Sequence, residues 1–178
     1  PATLVYVEAQ DDGDAGAEAE LRDKVFMLDA PFRGAPVELA ALGQRFGGIY
    51  WGDDELALVS SWWWPTRTQR VWHVAPDDPS RPAELVMEHN WEDRYNDPGS
   101  PLTVTNDAGR SVLQTDGRYL FMRGEGASEE GDRPFLDRHD LRTGETERLF
   151  RSEAPYYEIP IAVLDDRGER LMTRRESI

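Results

Sequence analysis

Short apolar runs, each led in by an acidic turn, set the rhythm of this chain. Gly52-Asp53-Asp54-Glu55 leads into Leu56-Ala57-Leu58-Val59-Ser60-Ser61, and Thr115-Asp116-Gly117-Arg118 leads into Tyr119-Leu120-Phe121-Met122. Asp165-Asp166-Arg167-Gly168-Glu169-Arg170 leads into Leu171-Met172-Thr173 in the same way. With Asp53, Asp116 and Asp166 taken as equivalent, the pattern returns every 50 to 65 residues or so, near the upper end of the roughly 40 to 50 expected of a four-stranded repeat with loop insertions. The runs are continuous rather than alternating, which is what a strand covered on both faces requires. Leu4-Val5-Tyr6-Val7 fits the same slot one repeat earlier.

Each repeat also contains a hairpin. Lys24 to Asp29 turns through Pro31-Phe32-Arg33-Gly34-Ala35-Pro36 into Val37 to Leu42. Arg70 to Pro76 turns through Asp77-Asp78-Pro79-Ser80-Arg81-Pro82 into Ala83 to Met87, and Phe135 to Leu141 turns through Arg142-Thr143-Gly144 into Glu145 to Phe150. Between hairpins lie three candidate inner strands: Phe46 to Trp51, the Leu102 to Gln114 region, and Ile159 to Leu164. Gly47 and Gly48 suit a place where backbones approach closely. No 3.6-period apolar stripe longer than two turns is present, and the weak candidate Glu18 to Lys24 reads as loop. The pattern predicts an all-β chain forming part of a β-propeller, about three four-stranded antiparallel blades. They would span 1–51, 52–114 and 115–164, with the start of another over 165–178.

Composition narrows the chemistry. Across 178 residues, 39% hydrophobic content is enough for a core. Twenty Lys+Arg face 35 Asp+Glu, a net charge of -15 that repels a phosphate backbone or an anionic membrane, so neither nucleic acid nor membrane is expected as a partner. With no cysteine there is no disulfide, thiolate nucleophile or zinc-thiolate site, and no run approaches the 18 or so apolar residues of a membrane span. No cofactor motif is found, and the sequence does not set a compartment.

Individual residues offer chemistry that weakens on inspection. The acidic stretch Asp11 to Glu20 lacks the spacing of a calcium loop and reads as solvated loop. His73 and His139 occupy equivalent places in two hairpins where the first has Leu28, so packing accounts for both, while His89 falls in a connection. Gly126-Ala127-Ser128-Glu129-Glu130 approaches a nucleophile elbow but lacks its second glycine. In Trp62-Trp63-Trp64-Pro65, alternation along a strand turns at least one indole away from any single core. The long loop from Arg123 to Pro134 carries arginines, and Arg123, Arg133 and Arg138 are the candidates for contact with an acidic substrate side chain, against a background of internal ion pairing.

Three ordered segments carry a resemblance: Arg94-Tyr95-Asn96-Asp97-Pro98-Gly99-Ser100-Pro101; Gly124-Glu125-Gly126-Ala127-Ser128 on to Gly131-Asp132-Arg133-Pro134-Phe135-Leu136-Asp137-Arg138; and Leu171-Met172-Thr173-Arg174-Arg175-Glu176-Ser177. Through them the chain resembles the prolyl oligopeptidase superfamily of serine peptidases (family S9), and within it the glutamyl endopeptidase branch of bacteria and chloroplasts. The resemblance implies a propeller that sits over an α/β-hydrolase domain and filters access to its Ser-Asp-His triad. That hydrolase domain is absent from this sequence, so no catalytic residue carries over to any position here. The expected role is structural and gating, without activity in isolation. The partners implied are the parent's hydrolase domain and, through it, peptide substrates. Two alternatives stand beside this: a stand-alone propeller-type module that binds protein or peptide, and an independent hydrolase working through carboxylates.

A propeller piece that begins at Leu4 within one blade and stops at Ile178 within another leaves two apolar blade faces uncovered. Pairing about 800 Å² of such surface offers a gross gain on the order of 20 kcal/mol before association costs. The isolated chain is therefore expected to self-associate, more strongly as salt screens its charge. Light scattering should report a dimer or larger at micromolar concentration; a well-folded monomer at both low and high salt contradicts this.

Overall fold

The computed structural model describes residues 2–165 and 167–177. Strands dominate it, and the helical turns among the described residues are two short 3-10 turns, Trp64–Thr66 and Arg94–Asn96. Two compact units divide the chain, Pro1–Glu88 and His89–Ile178.

In the first unit, β1 (Thr3–Ala9), β2 (Asp23–Asp29) and β3 (Val37–Leu42) form an antiparallel sheet in that order. A second antiparallel sheet follows chain order through β4 (Arg45–Trp51), β5 (Ala57–Trp63), β6 (Thr68–Val74) and β7 (Glu84–Asn90). Val25, Met27, Leu39, Ala40 and Leu42 of the first sheet share a core with Ala57, Val59 and Val74 of the second. Leu39 and Ala40 are consecutive yet both buried, because the β2–β3 register shifts between Val25 and Phe26 and leaves Leu39 as the extra residue of a bulge. Across β1 and β2 the directly opposed Tyr6 and Phe26 stack with centroids 5.4 Å apart. Gly47 is the extra residue of a bulge on β4, where an added Cβ would lie 2.9 Å from Ser60 Oγ and 3.2 Å from Trp62 Cδ1. Gly48 has ordinary room, so the close approach belongs to Gly47 alone.

The acidic stretch after β1 is not wholly solvated. The Asp11 side chain is 1% exposed and accepts hydrogen bonds from Arg22 Nη1 and Arg45 Nη2, each at 2.7 Å. Arg45 Nη1 reaches Asp23 Oδ1 at 2.8 Å, and the second Asp23 oxygen takes the Phe46 amide at 2.7 Å. Burial pushes the Asp11 carboxyl up, but the two guanidiniums outweigh it and hold the group below its ordinary range. Arg22 also lies 3.8 Å over the Trp63 ring, which gives that indole a structural partner. Two aspartates and two arginines thus fasten the loop and the start of β2 to β4, with each charge compensated.

In the second unit, β8 (Ser100–Pro101), β11 (Tyr119–Gly124), β12 (Phe135–Asp140) and β13 (Thr146–Arg151) form a sheet in the order β13-β12-β11-β8. The region expected as one inner strand, Leu102 to Gln114, is instead two short strands, β9 (Thr103–Thr105) and β10 (Ser111–Leu113), paired with each other. The Asn106 carboxamide oxygen accepts the Ala108 and Arg110 amides, each at 3.0 Å, and so folds the chain back. A two-stranded sheet, β14 (Tyr156–Val163) and β15 (Leu171–Ser177), completes the unit. Leu102, Phe121, Leu136 and Val163 form its core, with Leu149, Phe150 and Leu171 against them.

The acidic turns share a mechanism. Asp53 Oδ1 accepts the amides of Glu55 and Leu56 at 2.9 Å, and Asp116 Oδ1 those of Arg118 and Tyr119 at 2.9 and 2.8 Å. In the third turn the acceptor is Asp165, which takes Arg167 and Glu169 amides at 2.9 and 3.1 Å. The expected equivalent Asp166 lies outside the described residues. The first and third turns join strands of one sheet, β4 to β5 and β14 to β15, so the sheets divide the chain at 43–44, 91–99 and 152–155 rather than at the turns themselves.

Gly168 closes the third turn at φ +77°, where an added Cβ would strike Leu149 Cδ1 and sit 2.9 Å from Phe121 Cε1. Gly117 has φ +85° but open space around it. Gly168→Ala should therefore destabilise the fold by about 2–4 kcal/mol and Gly117→Ala by only about 1 kcal/mol. Equal denaturant midpoint shifts for the two variants would show that the Leu149–Phe121 contact does not constrain the turn.

Candidate functional site

Arg123 sits near the end of β11 and Arg138 within β12, while Arg133 lies in the loop that joins them. Arg123 pairs with Leu136 and Phe121 pairs with Arg138, and alternation then puts Arg123, Phe121, Leu136 and Arg138 on one face of the sheet. That face packs toward β14. Arg123 Nη1 donates to the Pro160 carbonyl at 3.3 Å, and Arg138 Nη1 donates to the Arg167 carbonyl at 3.2 Å. Arg138 also reaches Glu147 at 2.6 Å and lies 4.8 Å over the Tyr119 ring. Arg133 stands apart, paired with Glu130 at 3.0 Å. The geometry brings two of the three arginines together as ties between sheets and leaves the third in a loop.

The loop is an extension of its hairpin. Arg133 and Gly126 are joined by an amide-to-carbonyl bond of 2.9 Å, and Ser128 and Gly131 exchange backbone bonds at 3.1 and 3.0 Å. Gly99, Gly124 and Gly126 are required there: added Cβ atoms would strike the Arg123 carbonyl, the Phe135 ring and the Arg133 carbonyl respectively. Gly124 and Gly126 therefore serve close packing around Phe135, over whose ring Arg148 lies at 4.3 Å, and Gly99 serves close approach to the Arg123 carbonyl. Arg94 links the two loops at the edge, 3.3 Å from Glu125 and 3.5 Å from Asp132.

Ser128 Oγ donates to the Gly131 carbonyl at 2.6 Å, and among the described residues no serine is hydrogen-bonded to a histidine. His73 Nε2 lies 3.3 Å from the Glu55 carbonyl. His89, expected in a connection, belongs to β7; its Nδ1 is buried without a hydrogen-bond partner, and burial lowers its pKa against the opposing charge of Asp97. His139 is 5% exposed on β12, opposite Leu120, with Nδ1 2.9 Å from Thr146 Oγ1 and Nε2 unpartnered. A tautomer with the proton on Nδ1 donates to Thr146 and leaves only a lone pair at Nε2, the cheaper state for a buried ring. Burial lowers the His139 pKa, and the adjacent Asp140 opposes the shift.

Sequence reasoning missed the Arg118–Asp140 pair. Arg118 approaches one Asp140 oxygen with Nε at 3.0 Å and Nη2 at 2.5 Å, while the other oxygen accepts the Arg142 amide at 2.8 Å. The Arg118 hydrogen bonds lead in pulling the Asp140 pKa from an ordinary 3.8 down to about 2. Arg118 and Arg138 flank Tyr119, each 4.8 Å from its ring. The arrangement can fix a strand end; it holds no nucleophile beside a base. Among the described residues no group of three or more His, Cys, Asp or Glu is placed to hold a metal ion.

Comparison with known proteins relates the chain to named peptidases. It is 38% identical over 193 residues to a protein of Oryza sativa subsp. japonica named as a probable chloroplastic glutamyl endopeptidase, covering 99% of this chain and 21% of that protein. It is 37% identical over 194 residues to a protein of the same name from Arabidopsis thaliana, covering 99% of this chain and 20% of that one. The chain thus spans about a fifth of the length of the curated relatives it matches. No family profile matches it. No solved structure matches it either.

The titrating groups set a two-step acid response. His139, with its folded pKa depressed, contributes stability that is complete above the unfolded value of about 6.5 and declines as pH falls below it. Asp140 contributes stability that is complete above its unfolded value of 3.8 and is lost as pH falls toward about 2. His139→Leu should reduce the slope of the stability profile below about pH 6.5, where His89 also contributes, and Asp140→Asn should reduce the slope below about pH 4. Denaturant titrations across pH check both; an unchanged slope in either variant removes that group from the account.

Proposed function

We infer that the chain is a non-catalytic β-propeller segment of a serine peptidase of the prolyl oligopeptidase superfamily, similar to the glutamyl endopeptidases, and that it acts there as scaffold and substrate gate. The observation that carries this reading is the identity of 37 to 38% with proteins named glutamyl endopeptidase along 99% of the chain. The fold supports it: β4-β5-β6-β7 is a four-stranded antiparallel sheet in chain order, as in a propeller blade, and in each unit two sheets share an apolar core. The blades would then coincide with the sheets at 3–42, 45–90, 100–151 and 156–177. Cleavage would belong to a hydrolase domain elsewhere in a longer protein, and peptides would meet this segment on the way to it. Arg123, Arg133 and Arg138 are the proposed contacts for acidic substrate side chains.

The test compares this chain with a longer protein that contains it. A fluorophosphonate probe should label a serine outside this segment and leave the 178-residue chain unlabelled; specific labelling here, abolished by denaturation, overturns the non-catalytic reading. In the longer protein, Arg123→Ala and Arg133→Ala together should raise KM for glutamyl peptides about three- to tenfold, a larger effect on turnover than on folding. Unchanged kinetics would remove the arginines from substrate contact.

A further inference from the structure

At one end of the first unit, the turns after β2, β4 and β6 surround an open groove of about 880 Å³. Its apolar lining includes Val5, Met27, Val37 and Trp51, of which Val37 is 47% exposed. Its rim carries Asp29, Asp53, Asp54 and Asp77, and no Lys, Arg or His lines it among the described residues. The rim is braced. The Asp77 amide donates to the Asp54 carbonyl at 2.9 Å, the Thr3 hydroxyl donates to Asp29 at 2.7 Å, and one Asp53 oxygen is held by the Glu55 and Leu56 amides.

Some carboxylates elsewhere in the molecule have guanidinium partners. Asp11 and Asp23 pair with Arg45, Asp140 with Arg118, Asp137 with Arg148 and Glu158 with Arg175. The groove concentrates four aspartates beside an indole and aliphatic side chains without any such cation in the lining. A cation entering it would gain charge-assisted hydrogen bonds from the rim and contact with the indole face, while an apolar neighbour would cover Val5, Met27 and Val37. An anionic ligand would meet like charges from three turns.

We propose that this groove binds an extended peptide segment bearing arginine next to apolar residues, with the aspartate rim taking the guanidinium and the Trp51–Val37 floor taking the apolar side chains. The volume lies within the roughly 300–1,000 Å³ of ordinary ligand pockets and suits a few residues rather than a folded domain. The site is separate from the arginines considered above, so its outcome does not depend on the peptidase reading.

The probe is the acetylated, amidated pentapeptide Leu-Arg-Leu-Arg-Leu, titrated into the 178-residue chain by calorimetry. Binding should be saturable, and replacing both arginines of the peptide with glutamate should weaken it about tenfold or more. Asp54→Asn with Asp77→Asn changes two exposed, isosteric positions and should weaken binding of the arginine peptide about tenfold. Glu129→Gln with Asp107→Asn removes the same charge from exposed positions in the other unit and should change it less than about twofold. Equal weakening by both pairs, equal binding of the glutamate peptide, or no saturable binding overturns the proposal. A benzophenone-bearing version of the peptide supplies a check without mutation: its crosslinks should map to the groove lining within residues 3–5, 27–37, 51–54 and 76–79, and crosslinks confined to other parts of the chain also overturn it.

Discussion

The amides of the tight turns that join the strands need hydrogen-bond acceptors. Here those acceptors are side-chain oxygens two to four residues back: Asp53, Asn106, Asp116, Asp140 and Asp165. Each fixes a turn, and each turn sets where the next strand starts and therefore which side chains face the core. Ala57, Leu58 and Val59, all within 1% of full burial, begin one residue after the amide that Asp53 secures at Leu56. Part of the acidic composition is therefore structural, since each of these carboxylates has an oxygen bonded to turn amides.

A second layer of order comes from arginine. In the first unit Arg22 and Arg45 gather Asp11 and Asp23 into a compensated cluster at the loop before β2; in the second, Arg123 and Arg138 reach across to the carbonyls of Pro160 and Arg167. The two devices differ in kind. The first neutralises buried charge, and the second satisfies carbonyls at the margin of a small core built on Leu102, Phe121, Leu136 and Val163. Both hold neighbouring sheets in register by directional bonds, where apolar contact alone would tolerate sliding.

The apolar run of β5 is legible because a strand buried on two faces is apolar, as Ala57, Leu58 and Val59 are, while Val37 to Leu42 is bounded correctly by the turn residues before it although Val37 and Glu38 are exposed. The Leu102 to Gln114 region was misread because apolar residues at both ends masked the turn at Asn106, whose amide-accepting side chain was a signal already present. Asp11 could not be read as buried, since its partners lie 11 and 34 residues away and nothing local announces them. Of the candidate site, the arginines on and around the long loop are legible in the sequence. The packing role of Gly124 and Gly126 around Phe135 is not, because it depends on which ring and carbonyl each glycine faces. In the third turn Asp165 accepts amides two and four residues on, a reach that neighbouring carboxylates in the sequence do not distinguish.

The turn at Thr115-Asp116-Gly117 also bears on how the protein ages. An Asp-Gly bond isomerises when the glycine nitrogen attacks the neighbouring carboxyl to form a succinimide, which requires a free nitrogen and a carboxyl able to rotate toward it. Here the Gly117 amide is engaged by Thr115 Oγ1 at 3.0 Å, and the Asp116 carboxylate is held by the Arg118 and Tyr119 amides and kept ionised below its usual range. Both reactants of that chemistry are occupied as long as the strand that follows stays folded, so spontaneous backbone damage at this bond is tied to unfolding of β11.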